Sequence, residues 1–295
     1  VQVESIPQGE ENRNFHIITP DRRYVLRIYN ASHSTTGPRS PAEIEFELDF
    51  VEHVRASGLP TPAVIPALDG RRVVEIQHQG VTLQAALFEH VPGSTGAAYT
   101  PAVARSVAEL LLHMRSVSTS FSRSSMRAWP GDIASVSLHA YRQNRHLLIR
   151  HQEELDQLHQ RTRVEYAAVL KMGLPSGMIH GDIKLDNVIF SGDQVQAVLD
   201  FDEYHSSFLI DEWTRTALHD LDSATRNAIR SGQYPVFQSA FEHHPSVTEN
   251  EKRALPVFFR ARFLYDVAMY AVMDLHDLID DLFDDPQVLR WILDP

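Results

Sequence analysis

Two hydrophobic rhythms divide the chain. Short apolar runs dominate its N-terminal part, and helical spacing dominates the rest. Gly9 leads a polar turn, Glu10-Glu11-Asn12-Arg13-Asn14, and Phe15-His16-Ile17-Ile18-Thr19 follows as a strand. Pro20-Asp21-Arg22-Arg23 turns the chain into a second strand, Tyr24-Val25-Leu26-Arg27-Ile28-Tyr29, which is apolar on both faces as inside a sheet. Ile44, Leu48, Val51 and Val54 then recur at three- and four-residue steps and predict a helix over Pro41–Ala56. Ser40 is its N-cap, Pro41 its first residue, Glu43 the capping-box acid, and Gly58 its end. Gly58-Leu59-Pro60-Thr61-Pro62 is a rigid turn into Val64-Ile65. Arg71–Gln77 and Val81–His90 read as further strands, so five strands surround one helix.

Beyond residue 100 the spacing changes. Pro101–Ser116 is amphipathic through Val103, Val107, Leu110, Leu111 and Met114, and the Ser-rich stretch Ser118–Ser125 reads as a loop. Ala134–Gln160 is mostly helical and highly charged. Its His146, His151 and His159 form no metal-binding spacing and read as surface residues. Ser223–Gly232 and Thr248–Leu275 are predicted helices. Met273–Asp285 has apolar residues at helical spacing with carboxylates opposite; Phe283 and Trp291 read as packing anchors. No internal repeat is visible.

One stretch breaks the helical pattern and carries chemistry. Val188-Ile189-Phe190 and Val195-Gln196-Ala197-Val198 flank Ser191-Gly192-Asp193, which predicts a hairpin. If Phe190 pairs with Val195, Asn187 lies opposite Val198 and shares a face with Asp200. Their Cβ atoms would then be roughly 7–8 Å apart. That separation suits two oxygen ligands converging on one hard cation. Asp182 sits in the loop entering the hairpin, with Lys184 two residues on. The bland alternative is a plain hairpin with Lys184 paired to Asp182 or Asp186.

Asp182 and Asn187, at Asp-x-x-x-x-Asn spacing, resemble the catalytic loop of the protein-kinase-like superfamily. The opening His180-Gly181-Asp182, with Gly where protein kinases have Arg, resembles the aminoglycoside phosphotransferase, choline kinase and homoserine-kinase-like branch. Asp200-Phe201-Asp202 stands where protein kinases carry Asp-Phe-Gly. The resemblance implies an α+β, two-lobe protein-kinase-like fold. Residues 1–91 would form a small antiparallel-sheet nucleotide-binding lobe with one helix, and residues 92–295 a larger, mostly helical catalytic and substrate-binding lobe. It also implies transfer of the γ-phosphoryl group of ATP to a small-molecule hydroxyl. Asp182 would orient or deprotonate that hydroxyl, Lys184 would neutralise the transferred group, and Asn187 and Asp200 would hold Mg²⁺.

The resemblance implies further roles residue by residue. Gly9 and Asn12 belong to the turn that would cover the phosphates; alone, Gly9 is equally an ordinary β-turn. Kinases place a Lys on the strand where this chain has Arg27. The only lysines here are Lys171, Lys184 and Lys252. Arg27 would therefore take the phosphates, with a guanidinium in place of an ammonium, or else reach solvent at a sheet edge. Glu47 would be its helix partner and Glu43 the reserve. Phe88-Glu89-His90-Val91-Pro92-Gly93 resembles the inter-lobe hinge, with Glu89 and Val91 offering backbone groups to adenine. Residues 134–170 would help shape the acceptor pocket, and Asp211 would brace the catalytic loop. Asp202, Glu203, Asp274 and Asp277, with Asp280 and Asp281, are the acidic candidates for the acceptor; a solvated helix face is the alternative for the last four.

Composition narrows the classes. The chain has 295 residues, 43% of them hydrophobic, enough for a substantial core. It has no Cys, which removes disulfides and thiolate metal sites. No apolar run reaches membrane-spanning length, and Val1-Gln2-Val3-Glu4 has no signal-peptide character, so a cytoplasmic monomer or homodimer is expected. The net charge is −12, and Asp200–Pro295 alone holds 18 acidic and 8 basic residues. Nucleic acid is a poor partner for such a surface, and a cationic acceptor such as an aminoglycoside-like antibiotic would be steered toward it. The bland alternative is that the acids merely keep the protein soluble. An amino-alcohol metabolite such as homoserine or choline is the alternative acceptor, and a nucleotide-binding pseudokinase the alternative class. A protein kinase is disfavoured because no Ala-Pro-Glu motif follows Asp200.

Overall fold

The computed structural model describes residues 1–7, 12–29, 39–123, 132–218, 234–286 and 289–290. Gly9, Trp291 and the helix expected at Ser223–Gly232 lie outside them. Six antiparallel strands form the N-terminal sheet: β1 (Gln2–Ile6), β2 (Arg13–Ile18), β3 (Arg23–Tyr29), β4 (Val64–Ile65), β5 (Val74–His78) and β6 (Val81–Glu89). Their order is β1-β2-β3-β6-β4, with β5 also paired to β6. The strand absent from the sequence reading is β1. It is an edge strand exposed along most of its length, so no buried face marks it. Together with the helices that follow, this is the expected α+β, kinase-like arrangement.

Helix α1 (Pro41–Ala56) begins on the expected capping box. Ser40 Oγ accepts the Glu43 N–H at 3.3 Å, and the Glu43 carboxylate accepts the Ser40 N–H at 2.8 Å. The helix serves two cores. Ile44 and Leu48 pack with Tyr29, Val73 and Ala86 under the sheet. Phe46, Phe50, Val51 and Val54 join the large helical core instead. Any residue in the middle of α1 is therefore fixed relative to both.

The rest comprises α2 (Pro101–Ser120), α3 (Ile133–Asn144), α4 (Gln152–Val169), α5 (Leu209–Leu218), α6 (Tyr234–His243), α7 (Glu249–Val272) and α8 (His276–Phe283). Helix α7 is the axis, packing against α3, α4, α5 and α8. A buried ion pair, Arg115–Glu251 at 2.5 Å, joins α2 to the N-terminal turn of α7. Helix α2 runs one turn past its predicted end, into the Ser-rich stretch. The hydroxyls of Ser116, Thr119 and Ser120 bond back to carbonyls of the preceding turn at 2.8–2.9 Å, which relieves their competition with the helix. Of the three histidines read as surface residues, His146 is exposed. His159 stacks half-buried on Tyr141, and His151 stacks on Phe283. No helix among the described residues is long and apolar enough to cross a membrane.

Two short ladders carry the loops of interest: β7 (Ser176–Ile179) with β10 (His205–Phe208), and the hairpin of β8 (Val188–Ser191) and β9 (Gln194–Val198). Phe190 pairs with Val195 as expected, but Val198 faces Val188 rather than Asn187. The register shifts at a bulge that leaves Gln196 unmatched. Asn187 consequently ends a 3₁₀ turn, Leu185–Asn187, and its carbonyl accepts the Leu199 N–H at 2.8 Å.

The chain leaving β6 is fastened to this hairpin. Ser94 and Phe190 exchange backbone bonds of 3.0 and 2.8 Å, and Gly96 N–H reaches the Leu185 carbonyl at 3.1 Å. Gly93 sits at the closest approach with φ +138°, and a Cβ there would meet Ile189 Cγ2 and the Phe190 carbonyl oxygen, both at 2.5 Å. Gly93→Ala is expected to destabilise the fold by about 1–3 kcal/mol from backbone strain alone. Urea denaturation checks this, and a variant as stable as the parent would contradict it.

Candidate active site

The Asp182 loop is held from beneath by one carboxylate. Buried Glu212, on α5, accepts the His180 N–H at 2.5 Å and the Gly181 N–H at 3.1 and 3.2 Å. Gly181 is required here: its φ is +87°, and a Cβ would lie 2.5 Å from the Glu203 carbonyl oxygen. The His180 ring is fully buried. Its Nδ1 accepts the Asp182 N–H at 3.2 Å, so Nε2 carries the proton and donates to the Leu199 carbonyl at 2.9 Å. Burial lowers its pKa, which keeps the ring neutral. One imidazole thus links the Asp182 loop to the residue before Asp200. The brace expected at Asp211 belongs to Glu212; Asp211 instead accepts from the Ser207 hydroxyl.

The Asn187 amide nitrogen donates to the Asp182 carbonyl at 2.9 Å and to Asp182 Oδ2 at 2.8 Å. Both its N–H bonds are used, so Oδ1 remains as an acceptor. Lys184 Nζ stands 3.2 Å from Asp182 Oδ2. The Asp182 carboxylate is thereby oriented by an amide and an ammonium while keeping 16% of its side chain exposed, enough for a small molecule to reach it.

Asp200 follows β9 in the left-handed conformation, φ +61° and ψ +67°, and starts the 3₁₀ turn Phe201–Glu203. Arg27, on β3, places Nη1 3.0 Å from Asp200 Oδ1 and 3.3 Å from Asp202 Oδ1. Burial works to lower the Arg27 pKa, but Asp200 and Asp202 more than offset it and hold the group cationic. Burial, with Asp202 and Asp182 adding to it, pushes the Asp200 carboxyl up against the pull of Arg27. Asn187 Oδ1 and the Asp200 carboxylate are hard oxygen donors of the kind a divalent cation such as Mg²⁺ takes. Among the described residues no cluster of three or more His, Asp or Glu could cage a metal alone. A cation held here would keep water or phosphate ligands.

The structure divides among two arginines the work expected of one. Glu47, buried in the middle of α1, pairs not with Arg27 but with Arg39, whose Nη1 is 2.5 Å from Glu47 Oε2 and 2.9 Å from Asp202 Oδ1. Tyr29 OH donates to Glu47 Oε1 at 3.3 Å, and the Arg39 guanidinium lies 5.4 Å from the Tyr29 ring centroid. Arg39 escaped the sequence reading because it precedes the N-cap of α1, where no periodicity flags a residue.

Other expected residues fall in different places. Asn12 donates to Asp202, beside Arg27 and Arg39. Asp202, expected to meet the acceptor, is buried and paired with both arginines. Asp274 and Asp277 are exposed, and Asp274 pairs with His276 at 3.5 Å; no described bond ties either to the Asp182 loop. Asp280 pairs with Arg150 at 2.7 Å. Glu89 uses its N–H on the Ala63 carbonyl at 2.8 Å, so that amide cannot serve a base, whereas nothing among the described residues bonds the Val91 N–H. Gly9 lies outside the described residues.

A sequence model of the phosphotransferase enzyme family matches residues 2–235. The chain belongs to that family. Homoserine kinases of Zymomonas mobilis and Neisseria meningitidis are each 26% identical to this phosphotransferase, over 68% and 79% of the chain. Those matches cover 59% and 73% of the two relatives, so the chain spans about six-tenths of the Zymomonas protein. Among solved structures, an aminoglycoside phosphotransferase from Alicyclobacillus acidocaldarius superposes with a TM-score of 0.73 at 14% identity, covering 98% of this chain and 90% of that one. An amicoumacin kinase in complex with AMP-PNP and Ca²⁺ gives 0.68 at 14% identity, covering 92% and 81%. A microcompartment-associated aminopropanol kinase gives 0.63 at 19%, covering 92% and 88%. These likenesses establish the kinase-like fold.

Two outcomes follow for this phosphotransferase. Glu212→Ala strands two buried N–H groups and is expected to cost about 2–6 kcal/mol of stability, at 1–3 kcal/mol for each. Glu212→Gln, which keeps one acceptor oxygen, should lose less; equal losses in denaturant titrations would contradict the brace. The second outcome concerns pH. Burial pushes Glu47 from 4.5 up to about 7, with Arg39 opposing. The folded protein then holds this proton more tightly than the unfolded chain, so stability is favoured below about pH 4.5 and declines as pH rises through 7. Relative to Glu47→Gln, the parent should lose about 3 kcal/mol between pH 4 and pH 8, at 1.36 kcal/mol per unit. A difference that stays constant with pH would refute this.

Proposed function

We propose that this phosphotransferase moves the γ-phosphoryl group of ATP to a hydroxyl of a small, amine-bearing molecule. The observation that carries the reading is the Asp182 carboxylate, partly open and oriented by the Asn187 amide and Lys184, in a loop that the His180 ring ties to the residue before Asp200. Asp182 would accept the hydroxyl proton as the alcohol oxygen attacks the γ-phosphorus, and ADP would leave. Lys184, 3.2 Å from Asp182, would balance charge on the transferred group. Asn187 and Asp200 would hold Mg²⁺, whose contribution is to neutralise the phosphate oxygens. Arg27 would turn from Asp200 and Asp202 to those oxygens, which its planar fork suits. Residues 1–91 would cover the nucleotide and residues 92–295 the acceptor, with the Glu89 carbonyl and the Val91 amide at the adenine edge.

The sequence relatives that are homoserine kinases support an amino-alcohol metabolite as the acceptor. Homoserine, named for those relatives, and aminopropanol, named for one of the solved structures, are both small amino alcohols. The rival reading, a nucleotide-binding module without turnover, draws on the Arg27–Asp200 pair, which sets a guanidinium on one of the cation ligands. Acceptor-dependent ADP release over a panel of amino alcohols separates them. Asp182→Asn should lower kcat by about 10²–10⁴ with nucleotide binding intact. Nucleotide binding without acceptor-dependent ADP would overturn the kinase reading.

A further inference from the structure

Two guanidinium groups share one carboxylate oxygen. Arg27 Nη1 stands 3.3 Å from Asp202 Oδ1, and Arg39 Nη1 stands 2.9 Å from the same atom. Asn12 donates to the other oxygen, Asp202 Oδ2. Donors from the lead into β2, from β3 and from the lead into α1 thus converge on one buried side chain. The two arginines are held differently. Arg39 is also 2.5 Å from Glu47 Oε2, and its guanidinium lies 5.4 Å from the Tyr29 ring centroid and 6.0 Å from that of Tyr204. Tyr204 is anchored in turn, its hydroxyl donating to the Glu43 carbonyl at 3.2 Å. Arg27 has no ring contact among the described residues. Apart from Asp200 and Asp202 it reaches only a long bond, Nε to Asn14 Oδ1 at 3.4 Å. Arg39 is the fixed charge and Arg27 the movable one.

We propose that Arg39 is a positioning residue for nucleotide binding: it stays on Asp202 and Glu47, and so releases Arg27 to the phosphates without touching them. The reason is the state of Asp202 once Arg27 has turned away. A buried carboxylate that loses its counter-charge bears the full cost of desolvation, so an Asp202 with no second cation would hold Arg27 back. Arg39 is already on the same oxygen and cannot follow Arg27, because Glu47 and two aromatic rings fix it. Protein kinases carry Gly where this chain has Asp202, and there no carboxylate is stranded. The need for Arg39 therefore comes with Asp202. This inference rests on the kinase reading above and adds to it a residue that governs nucleotide affinity from outside the phosphate contact.

Calorimetric titration of ADP and of adenosine, both without metal ion, tests it, because only ADP carries phosphates for Arg27. Arg39→Met should weaken ADP by about 10–10²-fold, the worth of a hydrogen bond to a charged group, and leave adenosine unchanged. Arg39→Lys should keep part of the ADP affinity. Adding Asp202→Asn to Arg39→Met removes the carboxylate that holds Arg27, so the double variant should recover most of the loss. In these variants Glu47 keeps the Tyr29 hydroxyl, and with burial pushing its pKa up to about 7 it can take a proton in place of the cation. The proposal is overturned if Arg39→Met weakens ADP and adenosine alike, if it leaves ADP unchanged, or if Asp202→Asn recovers nothing. Should Arg39→Met alone not fold, the double variant decides: it must bind ADP within about tenfold of the parent, and a larger loss overturns the proposal. A parent that binds neither ligand sinks the nucleotide reading and this inference with it. A parent that binds ADP but shows no acceptor-dependent turnover sinks the kinase reading alone, and the ADP–adenosine comparison still decides the role of Arg39.

Discussion

A single buried carboxylate sets the geometry of the whole site. Glu212 takes the two amides that precede Asp182, and no other buried acceptor is described for them. Those amides fix the His180 backbone, which fixes the ring. The ring holds Asp182 on one nitrogen and the Leu199 carbonyl on the other. Leu199 is followed at once by Asp200. A phosphoryl-transfer site needs its base and its cation ligand held within a fraction of an ångström of each other, because positioning supplies most of the rate. The Asp182 loop and the residue before Asp200 are tied together by a neutral imidazole in the core rather than by exposed residues.

The second constraint is the charge gathered around Asp200 and Asp202. Asp182, Asp200 and Asp202 crowd one region, and two arginines from the sheet side answer them. In the familiar arrangement one lysine serves both the phosphates and a helix glutamate. An arginine fork is bulkier and planar, and Arg27 cannot span Asp200 and Glu47 together. Arg39 takes Glu47 and shares Asp202, leaving Arg27 on Asp200. Helix α1 contributes to both cores, so Glu47 and the pair it forms move only when the two halves move.

Much of this was legible in the sequence because it depends on local rules. The capping box before α1 and the turn between β8 and β9 are each specified by a few neighbouring residues, and the structure reproduces both. The Asp182–Asn187 spacing is equally local, and the structure bonds the two side chains directly. What failed depends on tertiary partners. Alternation alone gave a hairpin in even register, and the bulge at Gln196 shifted Asn187 by one place. Asp211 and Glu212 are adjacent acids at the start of one helix, and only packing decides which faces the His180 amides. Arg39 owes its role to burial, which no spacing reveals.

Net charge is a weaker guide for a related reason. The acidic excess after Asp200 suggested a cationic acceptor, yet much of it sits on exposed or paired groups such as Asp274, Asp277 and Asp280. Exposed charges are screened within about 10 Å in ordinary salt, whereas a buried guanidinium acts nearly unscreened on its neighbours. Surface potential governs how a ligand arrives, and the desolvated groups that a ligand meets govern which ligand stays.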